Sequence, residues 1–135
     1  GILSIIGLKL GASHAVLTDI DPNAINASKE NFEVNHISEE QYEIYQGNVL
    51  DDEAFVKSLG EKCYPLVAAN ILADVLLPLI EIADRFLTED GVFVLSGIID
   101  TKEKEISEKL EAYGFEILDI RRMKDWVSIT AGKRK

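Results

Sequence analysis

The stretch LTDIDP, residues 17–22, marks the point where a strand gives way to a helix. The apolar residues Ala15–Leu17 predict a short buried strand, and the acidic residues and the proline that follow are poor strand formers. Asp21 is a favoured helix N-cap, and Pro22 fits the first position of a helix. The sequence therefore places two carboxylates, Asp19 and Asp21, at the carboxyl end of a strand.

Outward from this stretch, apolar strands alternate with segments of helical periodicity. Strands are predicted at 14–19, 42–47, 65–70 and 92–97, and helices at 2–11, 21–35, 51–60, 73–87 and 101–114. Pro78 predicts a kink or a shifted start in the fourth helix, EDG at 89–91 predicts a turn, and Thr101 is the expected cap of the fifth helix. Two final strands, FEILDIRRM and WVSITAGK, are separated only by Lys124 and Asp125, which predicts an antiparallel hairpin. This order indicates an α/β sandwich with a mostly parallel sheet.

Length and composition narrow the class of protein. The 135 residues, 47% of them hydrophobic, favour one domain over residues 1–135 with a buried core. The apolar run at 68–83 is interrupted by polar residues and proline, so it predicts a core segment and no membrane span. A single cysteine, with no leader in view, favours a cytoplasmic protein. The net charge of −10 argues against direct nucleic-acid binding and indicates either solubility or a basic partner.

Polar residues follow several of the predicted strands, where open α/β sheets bind their ligands. Asp19, Asn48, Asn70 and the pair Ser96–Gly97 all fall at such strand ends. A carboxylate in the position of Asp19 can accept hydrogen bonds from a ribose diol, and it follows Gly1 at close to the roughly 20-residue spacing of dinucleotide-binding folds. Asp19 and Asp21 acting purely as turn residues is the alternative.

Two asparagines have functional and structural interpretations. Asn48 can meet the edge of an adenine, with the Val49 side chain against the ring, or it can be a turn residue after Gly47. Asn70 ends a predicted buried strand, and its amide oxygen is an acceptor with two lone pairs. That amide either serves a ligand or bonds to its own loop.

The blocks DIDPNAI, ANILADVL and LSGII, together with the final strand that starts WV, resemble the class I S-adenosylmethionine-dependent methyltransferases. They resemble the ribosomal protein L11 methyltransferases more closely, over essentially all 135 residues. This resemblance implies a Rossmann-like sheet of seven strands, whose last strand is antiparallel and inserted beside the fifth. The family's first strand, its glycine loop (of which Gly1 matches the last glycine) and its N-terminal substrate-gripping domain are not in the sequence. We therefore expect a catalytic domain truncated at its N-terminus.

The resemblance also implies a cofactor, a reaction and a set of residues. S-adenosyl-L-methionine is the expected cofactor, with no metal, and the expected substrates are the N-terminal amine and lysine side chains of a basic ribosomal protein. Asp19 would take the ribose hydroxyls, Asn48 and Val49 would frame the adenine, and Asn70 would lie beside the methyl donor and the incoming amine. We further predict that the carbonyls of Asn70 and Ile71 orient the neutral amine as catalytic groups. The expected cofactor-binding residues are Gly1, Asp19, Ile20, Asn48, Val49 and Asn70.

Three other functions compete with this interpretation. Methyltransferases that act on glutamine or on a nucleobase carry Asn-Pro-Pro and an aromatic residue, whereas this sequence has Asn70-Ile71-Leu72. A nicotinamide-dependent dehydrogenase would also use the strand-end acid, but it does not predict the ANILAD block. An inactive cofactor-domain fragment is the non-enzymatic alternative. His14 and His36 are expected at the surface, and Trp126 is expected to pack against the last strand.

Overall fold

The computed structural model describes residues 2–134, except for the side chains of residues 2, 3, 5 and 6. Gly1, one of the expected cofactor-binding residues, lies outside the described residues. The helices are α1 (Ile2–Lys9), α2 (Pro22–Val34), α3 (Glu53–Leu59), α4 (Ala73–Ala83) and α5 (Glu103–Ala112). The strands are β1 (Ala15–Asp19), β2 (Tyr42–Gln46), β3 (Tyr64–Asn70), β4 (Leu87–Ile99), β5 (Phe115–Met123) and β6 (Trp126–Lys133). The alternation of helices and strands predicted from the sequence is confirmed.

The chain forms two compact units, residues 1–56 and residues 57–135. In the first unit, β1 and β2 are parallel, with Ala15 opposite Tyr42 and Asp19 opposite Gln46. The Phe32 ring is fully buried and stacks on the Tyr42 ring, with centroids 4.0 Å apart and planes 7° apart. Leu8 and Ile37 complete the small core around it. The stacked rings therefore pack helix α2 against strand β2 in the core of this unit.

The second unit contains a four-stranded sheet in the order β3-β4-β6-β5. Strand β3 is parallel to β4, and β6 is antiparallel to both β4 and β5. The predicted hairpin and the insertion of the last strand beside β4 are both confirmed. The α/β class is confirmed as well, with mixed strand directions. Residues 2–134 contain six strands in two sheets, where the resemblance implied a sheet of seven.

Helices α4 and α5 cover one face of this sheet because their apolar stripes match its alternating apolar positions. The buried residues of this core are Ala69, Leu76, Ile80, Ala83, Leu87, Phe93, Leu95, Ile98, Ile106, Leu110, Phe115, Val127, Ile129 and Ala131. Strand β3 is less buried than its continuous apolar sequence indicated. Its alternate residues Leu66, Ala68 and Asn70 are exposed, and Leu66 retains 57% of its accessible surface.

Helix α4 ends at Ala83, four residues earlier than predicted, although Pro78 lies within it. The carbonyls of Arg85 and Phe86 accept backbone hydrogen bonds from Lys62 and Tyr64, at 2.8 and 2.9 Å. These bonds, together with the start of β4 at Leu87, place Arg85 and Phe86 in the connection to the strand instead of the helix.

The turn predicted at 89–91 lies inside β4. Tyr64 pairs with Leu87 and Leu66 pairs with Val92, so the intervening part of β4 leaves the register as an irregularity.

The expectation that Thr101 caps α5 was wrong. Thr101 lies in a 3-10 turn over Asp100–Lys102, and the N-cap residue is Lys102, which makes no side-chain capping bond. The amide of Asp100 donates to the carbonyl of Asp125 in the β5–β6 turn, at 2.8 Å. That tertiary bond fixes how the chain leaves β4, which the local sequence did not indicate.

None of the helices in residues 2–134 combines the length and the apolar character needed to cross a membrane.

Candidate functional site

The carboxyl ends of β1 and β2 place Asp19 close to the loop that carries Asn48. Asp19 lies opposite Gln46, and the amide of Gly47 donates to the Asp19 carbonyl at 2.9 Å. Parallel strands that end in register bring the loops that follow them to one edge. The structure therefore brings Asp19, which the resemblance assigned to the ribose, close to the loop of Asn48 and Val49, which it assigned to the adenine.

The side chains of Asp19 and Asp21 both accept hydrogen bonds from backbone amides at this edge. Asp21 Oδ1 accepts from the amide of Asn23 at 2.9 Å, which confirms the predicted cap of α2. Asp19 Oδ1 accepts from the amide of Asp21, also at 2.9 Å. Within residues 2–134, no hydrogen bond is recorded to the other oxygen of Asp19, Oδ2. The intervening Ile20 is 66% exposed.

The Asn48 side chain is engaged by its own turn. Its Oδ1 accepts from the amide of Leu50 at 2.9 Å, and its Nδ2 donates to Asp51 at 3.3 Å. The Asn48 side chain thus stabilises the turn after Gly47, as in the structural interpretation of this residue. Val49 beside it is half-buried. The backbone and Val49 remain the parts of this loop that can face a planar ring.

Gly47 supports this loop in a way the sequence interpretation missed. A Cβ built at Gly47 would lie 2.6 Å from the Phe55 ring, closer than real side-chain contacts allow. The backbone of the Asn48 loop therefore passes directly over an aromatic ring. A glycine between a strand and a turn, with an aromatic eight residues later, was the signal available in the sequence.

Asn70 is the last residue of β3 and pairs with Ser96 of β4. It was expected to be a buried amide, and it is instead exposed, because the outer face of β3 is open. Among the described residues, its side chain makes no recorded hydrogen bond. Ile71 follows it and is 37% exposed. The α4 hydrogen-bond ladder begins at the Leu72 carbonyl, which accepts from Val75 and Leu76, so the Ile71 carbonyl lies outside that ladder.

Strand β4 is irregular beside Asn70. Leu95 pairs with Ile129 and Ile98 pairs with Val127, so two β4 residues, Ser96 and Gly97, face a single residue of β6. This arrangement is a β-bulge, a feature enriched next to functional sites because it re-aims the strand.

A shallow cavity of about 620 Å³ opens beside the bulge. Trp126 lines it and is 57% exposed, so the expectation that Trp126 packs against the last strand was wrong. The buried positions of β6 are Val127, Ile129 and Ala131, and Trp126 precedes them at the turn end of the hairpin, opposite Met123.

Charged groups form a network in each of the two units. On the first sheet, Glu43 accepts from Tyr45 at 2.6 Å and contacts His14 at 2.9 Å, and these bonds, Tyr45 first, lower the pKa of the Glu43 carboxyl. His14 and His36 are exposed, as predicted. At the amino ends of β3 and β4, Asp84 pairs with Lys62 at 2.6 Å and with Lys133 at 2.9 Å.

The second network has a clear electrostatic consequence. Hydrogen bonds from Lys62 first and Lys133 second lower the pKa of the Asp84 carboxyl. The same bond from Lys62 raises the pKa of the Lys62 ammonium. Both partners are thereby held in their charged forms.

Comparison with known proteins supplies the family. The model of the family described as ribosomal protein L11 methyltransferase (PrmA) matches residues 1–134. A ribosomal protein L11 methyltransferase of Lachnospira eligens is 47% identical over 135 residues, which are 99% of this chain and 42% of that protein. A second, from Agathobacter rectalis, is 44% identical over 98% of this chain and 41% of its own length. The chain thus spans about two fifths of the length of these relatives.

Solved structures agree with the sequence comparison. The crystal structure of ribosomal protein L11 methylase from Lactobacillus delbrueckii subsp. bulgaricus superposes with a TM-score of 0.88 at 32% identity, over 100% of this chain and 65% of that one. The fold is also that of SMU.776, whose crystal structure is a complex with SAH (TM-score 0.81, 14% identity, 96% of this chain and 41% of that one). The fold is thus the class I S-adenosylmethionine-dependent methyltransferase fold, and the chain belongs to the ribosomal protein L11 methyltransferase (PrmA) family.

Proposed function

We propose that residues 1–135 belong to the catalytic domain of a cytoplasmic, S-adenosylmethionine-dependent protein methyltransferase. Its substrates in this proposal are lysine side chains and the N-terminal amine of ribosomal protein L11. The observation that carries the proposal is the family match over residues 1–134. The substrate is the one named for the relatives, and the full activity is proposed because the chain spans 42% of the Lachnospira eligens protein.

The residues at the β1–β2 edge fit the nucleoside part of this cofactor. Asp19 has one oxygen engaged with the Asp21 amide and a second oxygen available to a ribose hydroxyl. The loop over Phe55 offers backbone and the Val49 side chain to an adenine, while the Asn48 amide shapes the turn. In this proposal the ribose is recognised by charge, and the adenine by backbone and apolar contact.

The residues after β3 fit the task of orienting an amine. When bound, S-adenosyl-L-methionine supplies an electrophilic methyl group. A lysine amine has an ordinary pKa of about 10.4, so it must lose a proton before it can attack. Asn70 Oδ1 and the Ile71 carbonyl are acceptors that can hold the N–H groups of the neutral amine. The exposed apolar side chains of Ile71 and Leu72 can exclude water around a docked lysine, which lowers its pKa.

The net charge of −10 supports capture of a basic protein, because opposite charge accelerates association. In this proposal the ribosomal protein is the basic partner, and the rate of capture falls as salt is added.

The experiment uses a chimera in which residues 1–134 replace the matching segment of the Lachnospira eligens relative. Labelled methyl transfer to purified L11 is measured, and the modified residues are located by mass spectrometry. Incorporation at lysine and N-terminal amines supports the proposal. The matched control is L11 with all amines acetylated, which should take up no label. Label on acetylated L11, or no transfer under conditions where the parent relative is active, contradicts the proposal.

A further inference from the structure

Gly97 occupies the bulge of β4 in a conformation that favours glycine. Its φ is +72°, in the left-handed region, and it shares the bulge with Ser96. A bulge built on a left-handed glycine turns the strand more sharply than regular pairing would. The backbone at position 97 is thereby directed toward the neighbouring strand end of β3.

That backbone lies directly against the Asn70 carboxamide. A Cβ built at Gly97 would overlap Asn70 Oδ1 at less than a possible contact distance, and it would also approach Asn70 Cγ at 3.4 Å. The atom that would be displaced is the far end of a flexible side chain. An added methyl group therefore turns the carboxamide away and leaves the strand pairing in place.

No other group in residues 2–134 is recorded as holding this carboxamide by a hydrogen bond. Asn70 is exposed, so without a packing constraint its amide would sample several rotamers. Gly97 leaves room for the observed orientation of the carboxamide, which a side chain at position 97 would exclude.

We propose that Gly97 is a positioning residue, whose missing side chain seats the Asn70 carboxamide in the orientation that accepts the substrate amine. This inference rests on the function proposed above. It predicts that the β4 bulge acts on the reaction through Asn70. It also links the function of the Ser96–Gly97 pair to that of the ANILAD block, although Ser96 lies 26 positions after Asn70 in the sequence.

The chain offers a matched control for backbone strain. Gly114 has a φ of +87°, and a Cβ there would meet nothing within 4 Å. Gly114→Ala therefore imposes left-handed strain without a steric partner, whereas Gly97→Ala imposes similar strain and also displaces Asn70. The two variants should lower the melting temperature of the 135-residue chain by similar amounts.

The activity test uses the same chimera with L11 as substrate. A misplacement of an orienting group costs up to about 100-fold in rate, so Gly97→Ala is expected to lower kcat by about that factor. The KM for L11 should stay within about twofold, because the lost interaction is one that acts in the transition state. Gly114→Ala should leave kcat near that of the parent chimera.

A double variant separates positioning from simple obstruction of the cavity. Asn70→Ala removes the displaced atom, so Asn70→Ala/Gly97→Ala should be no slower than Asn70→Ala alone. Multiplied losses would show that Gly97 acts elsewhere and would overturn the inference. Normal kcat in Gly97→Ala, with a loss in Asn70→Ala, overturns the inference and leaves the proposed function standing.

Two further results have defined meanings. Normal turnover in Asn70→Ala refutes the proposed role of Asn70 itself. If Gly97→Ala does not fold whereas Gly114→Ala does, recovery of folding in the double variant supports the steric contact, and continued misfolding refutes it.

Discussion

The two strand edges of the molecule hold their polar residues in different ways. At the β1–β2 edge, Asp19 and Asn48 are engaged by the amides of Asp21 and Leu50. At the β3–β4 edge, the Asn70 carboxamide has a packing contact with Gly97 and no recorded hydrogen bond from the described residues. A residue such as Asp19 or Asn48 stabilises its own loop in addition to any role in binding a ligand. A residue such as Asn70 is available for a ligand alone, so its replacement should separate function from stability.

The largest effect is expected from Asn70→Ala. Removing one well-placed polar group from a reacting centre typically costs about 100- to 1000-fold in kcat, and we expect a loss in this range. The melting temperature should change little because the carboxamide is exposed and has no recorded hydrogen bond in the described chain. Turnover on L11 and thermal unfolding, measured on the same preparation of the chimera, test both parts. A variant that loses stability along with activity would remove the contrast between the two edges.

Two matched variants of Asp19 test the β1–β2 edge. Asp19→Asn keeps an oxygen for the Asp21 amide and removes the charge, whereas Asp19→Ala removes both. A hydrogen bond to a charged group contributes about 1.5–3 kcal/mol, so Asp19→Asn should weaken S-adenosylhomocysteine binding by about tenfold or more. Only Asp19→Ala should also lower the melting temperature. Calorimetric titration and thermal unfolding provide the two measurements, and equal affinities for the parent and both variants would rule out a ribose-binding role.

Asp21 should affect stability alone. Its carboxylate caps α2, and replacing an N-cap residue by alanine costs about 1 kcal/mol of unfolding free energy. Asp21→Ser keeps a capping oxygen and serves as the control, with a smaller loss. Denaturant unfolding measures the difference between them. A tenfold loss of cofactor affinity in Asp21→Ser would show that this acid binds the ligand as well.

The smallest effect is expected at the amino ends of β3 and β4, where Asp84 pairs with Lys62 and Lys133. Because the folded-state pKa of Asp84 is lowered, its carboxylate stabilises the fold above the unfolded pKa of about 3.9 and loses that effect as the pH falls through the folded value. The pair is exposed, so Asp84→Asn should cost about 0.5–1 kcal/mol near neutral pH and progressively less in acid. Unfolding at pH 7 and pH 3 gives the comparison. A cost that grows in acid would contradict the assigned ion pairs.

The sequence predicted those parts of the fold whose signals are local. Asp21 with Pro22 marked the start of α2, Gly114 marked the end of α5, and the two-residue link at 124–125 marked the hairpin. The parts that it did not predict depend on distant partners. Helix α4 ends early, and the backbone of Arg85 and Phe86 that follows it pairs with residues preceding and starting β3. A single sequence does not indicate which distant residues will pair in such a contact.

The candidate site divides in the same way. The strand-end positions of Asp19, Asn48 and Asn70 followed from the alternation of helices and strands. The exposure of Asn70 and the closeness of Gly97 did not, because both depend on how β3 and β4 align and on the bulge in β4. Sequence patterns locate a residue at an edge, whereas side-chain orientation depends on neighbours that are remote in the chain.

The position of β6 has a consequence for how the protein is made. This strand follows both β4 and β5 in the chain, yet it separates them within the four-stranded sheet. Until it leaves the ribosomal exit tunnel, β4 and β5 have no partner along their facing edges. This four-stranded sheet can therefore close only after β6 has been synthesised, and a nascent chain stalled before Trp126 would expose open strand edges to chaperones and to aggregation.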